Sequence, residues 1–161
     1  MAVWEVTMEI MQCEKQAFAV IGKEGSTDDG AGFIERLWNE ANGHFTEVEA
    51  LAKKDSTGCL AGIWGAMSDM ARTNQPWEDN FTKGLYLAGV ECELEQEAPE
   101  GWTKWVIPAY KYLYVKCSEN DVFQQMLDYL YQHNIPLAGA VHDFVCPKTG
   151  ENYMFFPVKR L

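Results

Sequence analysis

Two apolar, β-rich runs near the middle of the chain, Leu85–Cys92 and Trp105–Cys117, constrain its fold most. They flank an acidic, turn-rich connector, Glu93–Gly101, and are dense in Val, Ile, Tyr and Trp, the residues that fit a pleated, half-buried surface. A carboxylate, Glu91, sits inside the first run, where acids are depleted and costly to bury. Two such runs belong in a sheet, and the sequence on either side decides which sheet.

The two sides read alike. Upstream, Glu5–Glu24 contains AFAVIGKEG, one long strand or two short ones, and Ser26–Gly30 supplies N-cap candidates. A helix is predicted over about 32–53, because Phe33, Ile34, Leu37, Trp38, Ala41, Phe45, Val48 and Leu51 recur at three- and four-residue steps. Gly43 is the point where it can kink or split. Cys59–Met67 predicts a strand, Ser68–Thr82 a polar loop, and Leu85–Glu93 the next strand. Downstream, Tyr110–Cys117 predicts a strand and Asn120 to about His133 a helix, with Ser118 and Asp121 spaced as in a capping box. Asn134-Ile135-Pro136 ends that helix, and strands follow over Leu137–Cys146 and Asn152–Val158.

Strand, helix, strand, strand therefore occurs twice, and Leu60-Ala61-Gly62 and Leu137-Ala138-Gly139 open equivalent strands. The pattern predicts an α+β fold of tandem duplicated β-α-β-β units with pseudo-two-fold symmetry. An antiparallel sheet would carry helices packed on one side, with a cleft between the halves. One domain is expected, its first repeat over about 1–95 and its second over about 102–161.

Composition narrows the function classes. The 161 residues are 47% hydrophobic and 23% charged, which suits a folded globular chain. No apolar run approaches the ~20 residues of a membrane span, and the N-terminus lacks the basic head and apolar block of a signal peptide. A cytoplasmic location without membrane attachment is expected. Net charge is −11 and the 13 basic residues are scattered, so direct nucleic-acid binding is not expected. A negative field favours cationic ligands. The five cysteines are widely spaced without a CxxC, and the three histidines form no ligand pattern with them. Neither a metal site nor a disulfide framework is expected. GxSxG and Gly-rich phosphate loops are absent, so no cofactor is implied and no catalytic residue stands out.

The order of elements, the central YLAGVE, the following PEGWTKWVIPAYKY and the closing NYMFFPVK together resemble the GyrI-like effector-binding domain. That is the drug-sensing module of AraC-type and MerR-type multidrug regulators, which also occurs as stand-alone and integron-cassette proteins. The resemblance covers nearly the whole chain. It implies a cleft between the halves, lined by aromatics and a carboxylate, that takes hydrophobic and often cationic compounds. Such a protein would sense or sequester toxic compounds, or serve transcription regulation through a partner. A subset of the family hydrolyses cyclopropane-bearing alkylating toxins, which a cleft Glu or Asp with a Tyr acid would suffice to do. The first strand begins almost at once, so the stand-alone form is expected. The oligomeric state stays open, a homodimer included.

The resemblance places Trp38 at a ligand-stacking position and Asp143 where the family's second half supplies a glutamate, one methylene longer. Trp64 and Trp105 lie on strands facing the implied cleft, either as pocket wall or as core. Tyr110, Tyr112 and Tyr114 alternate onto one sheet face, which either walls the pocket or packs on the second helix. Glu91 shares a face with Leu85 and Leu87, either turned to the cleft or exposed at a strand end. Phe155 and Tyr153 share a face that would close the cleft. The candidate ligand-binding set is thus Trp38, Trp64, Glu91, Trp105, Tyr110, Tyr112, Asp143 and Phe155.

Overall fold

The computed structural model describes residues 9–117 and 121–161. Among them, eight strands run β1 Met11–Lys15, β2 Phe18–Ser26, β3 Ile63–Ser68, β4 Leu85–Cys92, β5 Thr103–Ile107, β6 Tyr110–Lys116, β7 His142–Val145 and β8 Asn152–Arg160. The helices are α1 Phe33–Gly43, the single turn α2 Glu78–Phe81 and α3 Val122–Gln132. The strands form one sheet in the order β1-β6-β8-β7-β3-β4-β2-β5. Every neighbouring pair is antiparallel.

This order survives exchange of β1–β4 with β5–β8. β1 pairs with β6 as β5 pairs with β2, and β3 meets β7 at the seam, where Trp64 lies opposite Phe144 and Gly65 opposite Asp143. Each edge strand is lent to the opposite half, so the short links at residues 16–17 and 108–109 cross between halves and curl the sheet. Curling needs close backbone approach, which glycine permits. Gly22 and Gly89 are direct partners on β2 and β4, and a Cβ on Gly22 would come within 2.7 Å of the Gly89 Cα.

Strand alternation sorts the core into two faces. One face packs under α1 through Ile21, Phe33, Tyr86 and Val90, and under α3 through Val115, Met126 and Phe156. The other carries Phe18, Trp64, Leu87, Trp105, Tyr110, Tyr112 and Phe155, with no described helix packed on it. β4, between β2 and β3, is buried along its whole length.

Several boundaries differ from the sequence reading. α1 stops at Gly43, and 3₁₀ turns at Phe45–Glu47 and Glu49–Leu51 carry the rest of the apolar stripe under the sheet edge. Gly43 therefore splits the helix. The strand expected over 59–67 starts only at Ile63, since Asp55–Leu60 is held as a tight turn by the Asp55 carboxylate, which accepts from the Thr57 and Cys59 amides. β7 is likewise shorter than the run at 137–146. The polar loop at 68–82 contains α2, whose Asp79, Asn80 and Phe81 all have positive φ, and Phe81 packs edge-on against Phe123 at 5.1 Å. Ser118 of the expected capping box lies outside the described residues, and Asp121 caps α3 in the left-handed conformation.

Candidate functional site

The helix-free face gathers most of the candidate residues. Alternation on β6 brings Tyr110, Tyr112 and Tyr114 to this face, away from α3. β8 adds Tyr153 and Phe155, β7 adds Phe144, and β2 adds Phe18. Trp64 sits at their centre, 4.7 Å from the Phe144 ring, 5.0 Å from Phe18 and 5.1 Å from Phe155. Phe155 in turn stacks on Tyr114 at 4.7 Å and meets Tyr112 edge-on at 5.5 Å. The centre of this cluster is closed: Trp64 is 2% exposed and Tyr112 fully buried. The half-buried side chains around it include Tyr114, Phe144 and Tyr153, with Lys15 beside Glu91.

Glu91 meets this cluster at Trp64 and is 2% exposed, so it is no strand-end surface charge. The Trp64 indole N–H donates to its Oε1 at 3.0 Å, and the Lys15 ammonium donates to Oε2 at 3.1 Å. Lys53 stands 3.9 Å from the same oxygen. Lys15 also lies 4.5 Å from the centre of the Phe18 ring and 5.8 Å from that of Trp64. Gly62 leaves the space these groups occupy, since a Cβ there would stand 2.7 Å from the Trp64 indole nitrogen and 3.3 Å from Glu91 Oε1.

Two further groups bear on the chemistry. The Tyr112 hydroxyl is buried and, among the described residues, has no hydrogen-bond partner. Desolvation drives its pKa far up, with the nearby Tyr110, Cys13 and Glu91 adding to it. His142, whose ring meets Trp64 edge-on, accepts the Met67 amide N–H at Nδ1, and burial lowers its pKa to about 4. The ring is therefore neutral, with its proton on Nε2.

Trp105 and Tyr110 occupy the same face with their polar ends turned from Glu91. The Trp105 indole donates to Glu24 at 2.8 Å, and Arg72 holds Glu24 from outside at 2.9 Å. The Tyr110 hydroxyl reaches Gly139, where a Cβ would stand 2.6 Å away.

Trp38 and Asp143 lie on the other side of the sheet. The Trp38 indole donates to the Tyr86 hydroxyl at 3.1 Å, which donates to Asp143 Oδ2 at 3.1 Å. Gly65 makes room for this chain, since a Cβ there would overlap the Tyr86 hydroxyl. Desolvation raises the Asp143 pKa to about 6 against the lowering effect of the Tyr86 hydrogen bond. Trp38 also lines a cavity of about 160 Å³ under α1 with Phe45, Leu60 and Trp102. A second apolar cavity of about 150 Å³ lies between Trp77, Phe81 and Phe123.

Phe18 and Lys15 did not stand out in the sequence, although Met11, Cys13 and Lys15 alternate and share a face once β1 is known to be a separate strand. Among the described residues, no group of three or more His, Cys, Asp or Glu is placed to hold a metal ion. No described helix is long and apolar enough to cross a membrane.

This curled, antiparallel sheet with helices on one side is the fold of the effector-binding domains that the sequence resembles. The solved structures that share it include SAV2435 bound to tetraphenylphosphonium, at a TM-score of 0.61 and 17% identity over 94% of each chain. A putative transcription regulation protein from Staphylococcus aureus MU50 has a TM-score of 0.58 and 19% identity over 95% of this chain and 99% of that one. The EcmrR C-terminal domain has a TM-score of 0.62 and 13% identity over 96% and 99%. No protein-family model and no curated protein matches the sequence.

Proposed function

We propose that this protein binds amphipathic small molecules on the helix-free face of its sheet, either to sequester them or to report them to a regulatory partner. One observation carries the reading: Glu91 is a buried carboxylate set among aromatic rings, with half-buried aromatics beside them on the same face. Keeping a carboxylate ionised in such a place is costly unless a cation accompanies it. Aromatic faces add about 0.5–2 kcal/mol per cation contact. Apolar area around a buried carboxylate is the recognition chemistry of a hydrophobic cation, and the fold neighbour solved with tetraphenylphosphonium supports that ligand class.

Binding suits the geometry better than ring-opening hydrolysis. Glu91 is set between the Trp64 indole and the Lys15 ammonium, a setting that holds a charge among rings, and no tyrosine hydroxyl is bonded to it as a partner acid among the described residues. Asp143 is engaged by Tyr86 on the far side of the sheet.

The test is a tryptophan-fluorescence titration with tetraphenylphosphonium. Saturable quenching is expected, weakened about tenfold or more in Glu91→Gln and in Trp64→Ala but not in Trp38→Ala. Loss confined to Trp38→Ala would move the site to the cavity under α1. Absence of quenching across a panel of hydrophobic cations and neutral aromatics would end the proposal.

A further inference from the structure

The cation seat of the aromatic face is already taken by the protein itself. The Lys15 ammonium stands 3.1 Å from Glu91 Oε2, 4.5 Å from the Phe18 ring centre and 5.8 Å from that of Trp64. This is the contact set a bound cation would need: one carboxylate oxygen and two ring faces. We infer that Lys15 is an intramolecular stand-in for ligand, which a cation must displace to reach Glu91. It thereby sets the charge preference of the site.

Three features make Lys15 displaceable where the rest of the seat is fixed. The Lys15 side chain is 27% exposed and Glu91 only 3%, so the ammonium can move to water while the carboxylate cannot. Lys15 is the last residue of β1, an edge strand paired on one side only, by β6. Lys53, 42% exposed and 3.9 Å from Glu91, remains to accompany the carboxylate during the exchange. With Lys15 seated, Glu91 is already neutralised, and the face favours cations over anions of the same shape only weakly. With Lys15 withdrawn, the same face presents a carboxylate whose remaining partner, Lys53, is the more distant and more exposed of the two.

The inference rests on the binding face proposed above, and its test separates the two. Tetraphenylphosphonium and tetraphenylborate are near-isosteric ions of opposite charge. Their affinities would be measured by fluorescence for wild type, Lys15→Met, Lys15→Arg, Glu91→Gln and the Lys15→Met/Glu91→Gln double variant. Lys15→Met should bind the cation about tenfold tighter than wild type and the borate no better, and the gain should vanish in the double variant. Lys15→Arg should bind the cation more weakly than wild type, because a guanidinium holds a carboxylate by two bonds and leaves less readily. That variant keeps the buried charge paired, so it decides the matter even if Lys15→Met does not fold. Cation affinity unchanged or weaker in Lys15→Met, or unchanged in Lys15→Arg, overturns the displacement role while Glu91→Gln still weakens binding. Indifference of every variant, Glu91→Gln included, removes the binding face and the inference with it.

Discussion

His142 and Asp143 are chain neighbours on opposite faces of β7, and burial shifts them in opposite senses. Asp143 titrates near 6 instead of near 3.8, so between those values the folded chain holds a proton that the unfolded chain has released. Its contribution to stability is present at acid pH and is lost as pH rises through about 6. His142 titrates near 4 instead of 6.5, so the unfolded chain holds the extra proton, and that contribution is present above 6.5 and lost as pH falls through about 4. The two slopes oppose each other over nearly the same window, and wild-type stability there conceals both. Asp143→Asn keeps an acceptor for the Tyr86 hydroxyl and removes only the acid. Urea denaturation at several pH values should show the stability difference, wild type minus variant, falling by about 1–3 kcal/mol between pH 4 and pH 7. A difference that does not change with pH would mean the carboxyl ionises as freely as in the unfolded chain.

At the scale of elements, β4 decides how tightly the sheet can coil. It is buried on both faces, and its Gly89 lies against Gly22 of β2 with 2.8 Å between a would-be Cβ on Gly89 and the Gly22 Cα. The atoms a methyl group would meet are backbone on both sides, so no side chain can swing aside. Gly89→Ala should cost about 3 kcal/mol or more, measured as a fall in the urea midpoint, with β2 and β4 forced apart. Loss of less than about 0.5 kcal/mol would show that the sheet flattens freely. Element type was legible in the sequence wherever one period ran long enough: the 3.6-residue period of α3 and the alternation of β4, β6 and β8 grouped the side chains, Glu91 with Leu85 and Leu87, but left open which group met the helices, and Tyr131 of α3 is exposed. Lengths failed where local polar groups outweighed the apolar pattern, as at Asp55, whose carboxylate gathers two backbone amides into a turn before β3. The candidate site was legible as a set of aromatics on one face. Trp38 and Asp143 fell on the other side, because a strand and the helix above it present candidates to both faces and only the register of β3 with β7 separates them. Lys15 was hidden because β1 has only five residues and its partner, β6, lies about a hundred residues away.

For the molecule as a whole, the exchange of edge strands matters more than the likeness of the halves. β2 is completed by β5 from the second half, and β6 by β1 from the first. Neither half can form its full four-stranded sheet from its own sequence, and the seam of β3 with β7 joins what the exchange has already linked. The aromatic face spans this exchange as well, with Lys15 and Phe18 at one crossing link, Ile107 and Tyr110 at the other, and Trp64 against Phe144 at the seam. Opening one half would therefore expose the core of the other, which is the condition for a single cooperative transition. Five of the six tryptophans lie at Trp38, Trp64, Trp77, Trp102 and Trp105, in the first half, in its borrowed strand or, for Trp102, just before that strand and packed in the core under α1, so indole fluorescence follows that half, whereas far-UV circular dichroism follows both. Urea curves from the two probes should coincide in midpoint and slope, and a saturating hydrophobic cation should move both together, since a ligand held only by the folded state adds stability to everything that unfolds with its site. A fluorescence transition that precedes the dichroism would show that the first half opens alone, and would place the exchange of β1 and β5 among contacts too weak to couple the halves.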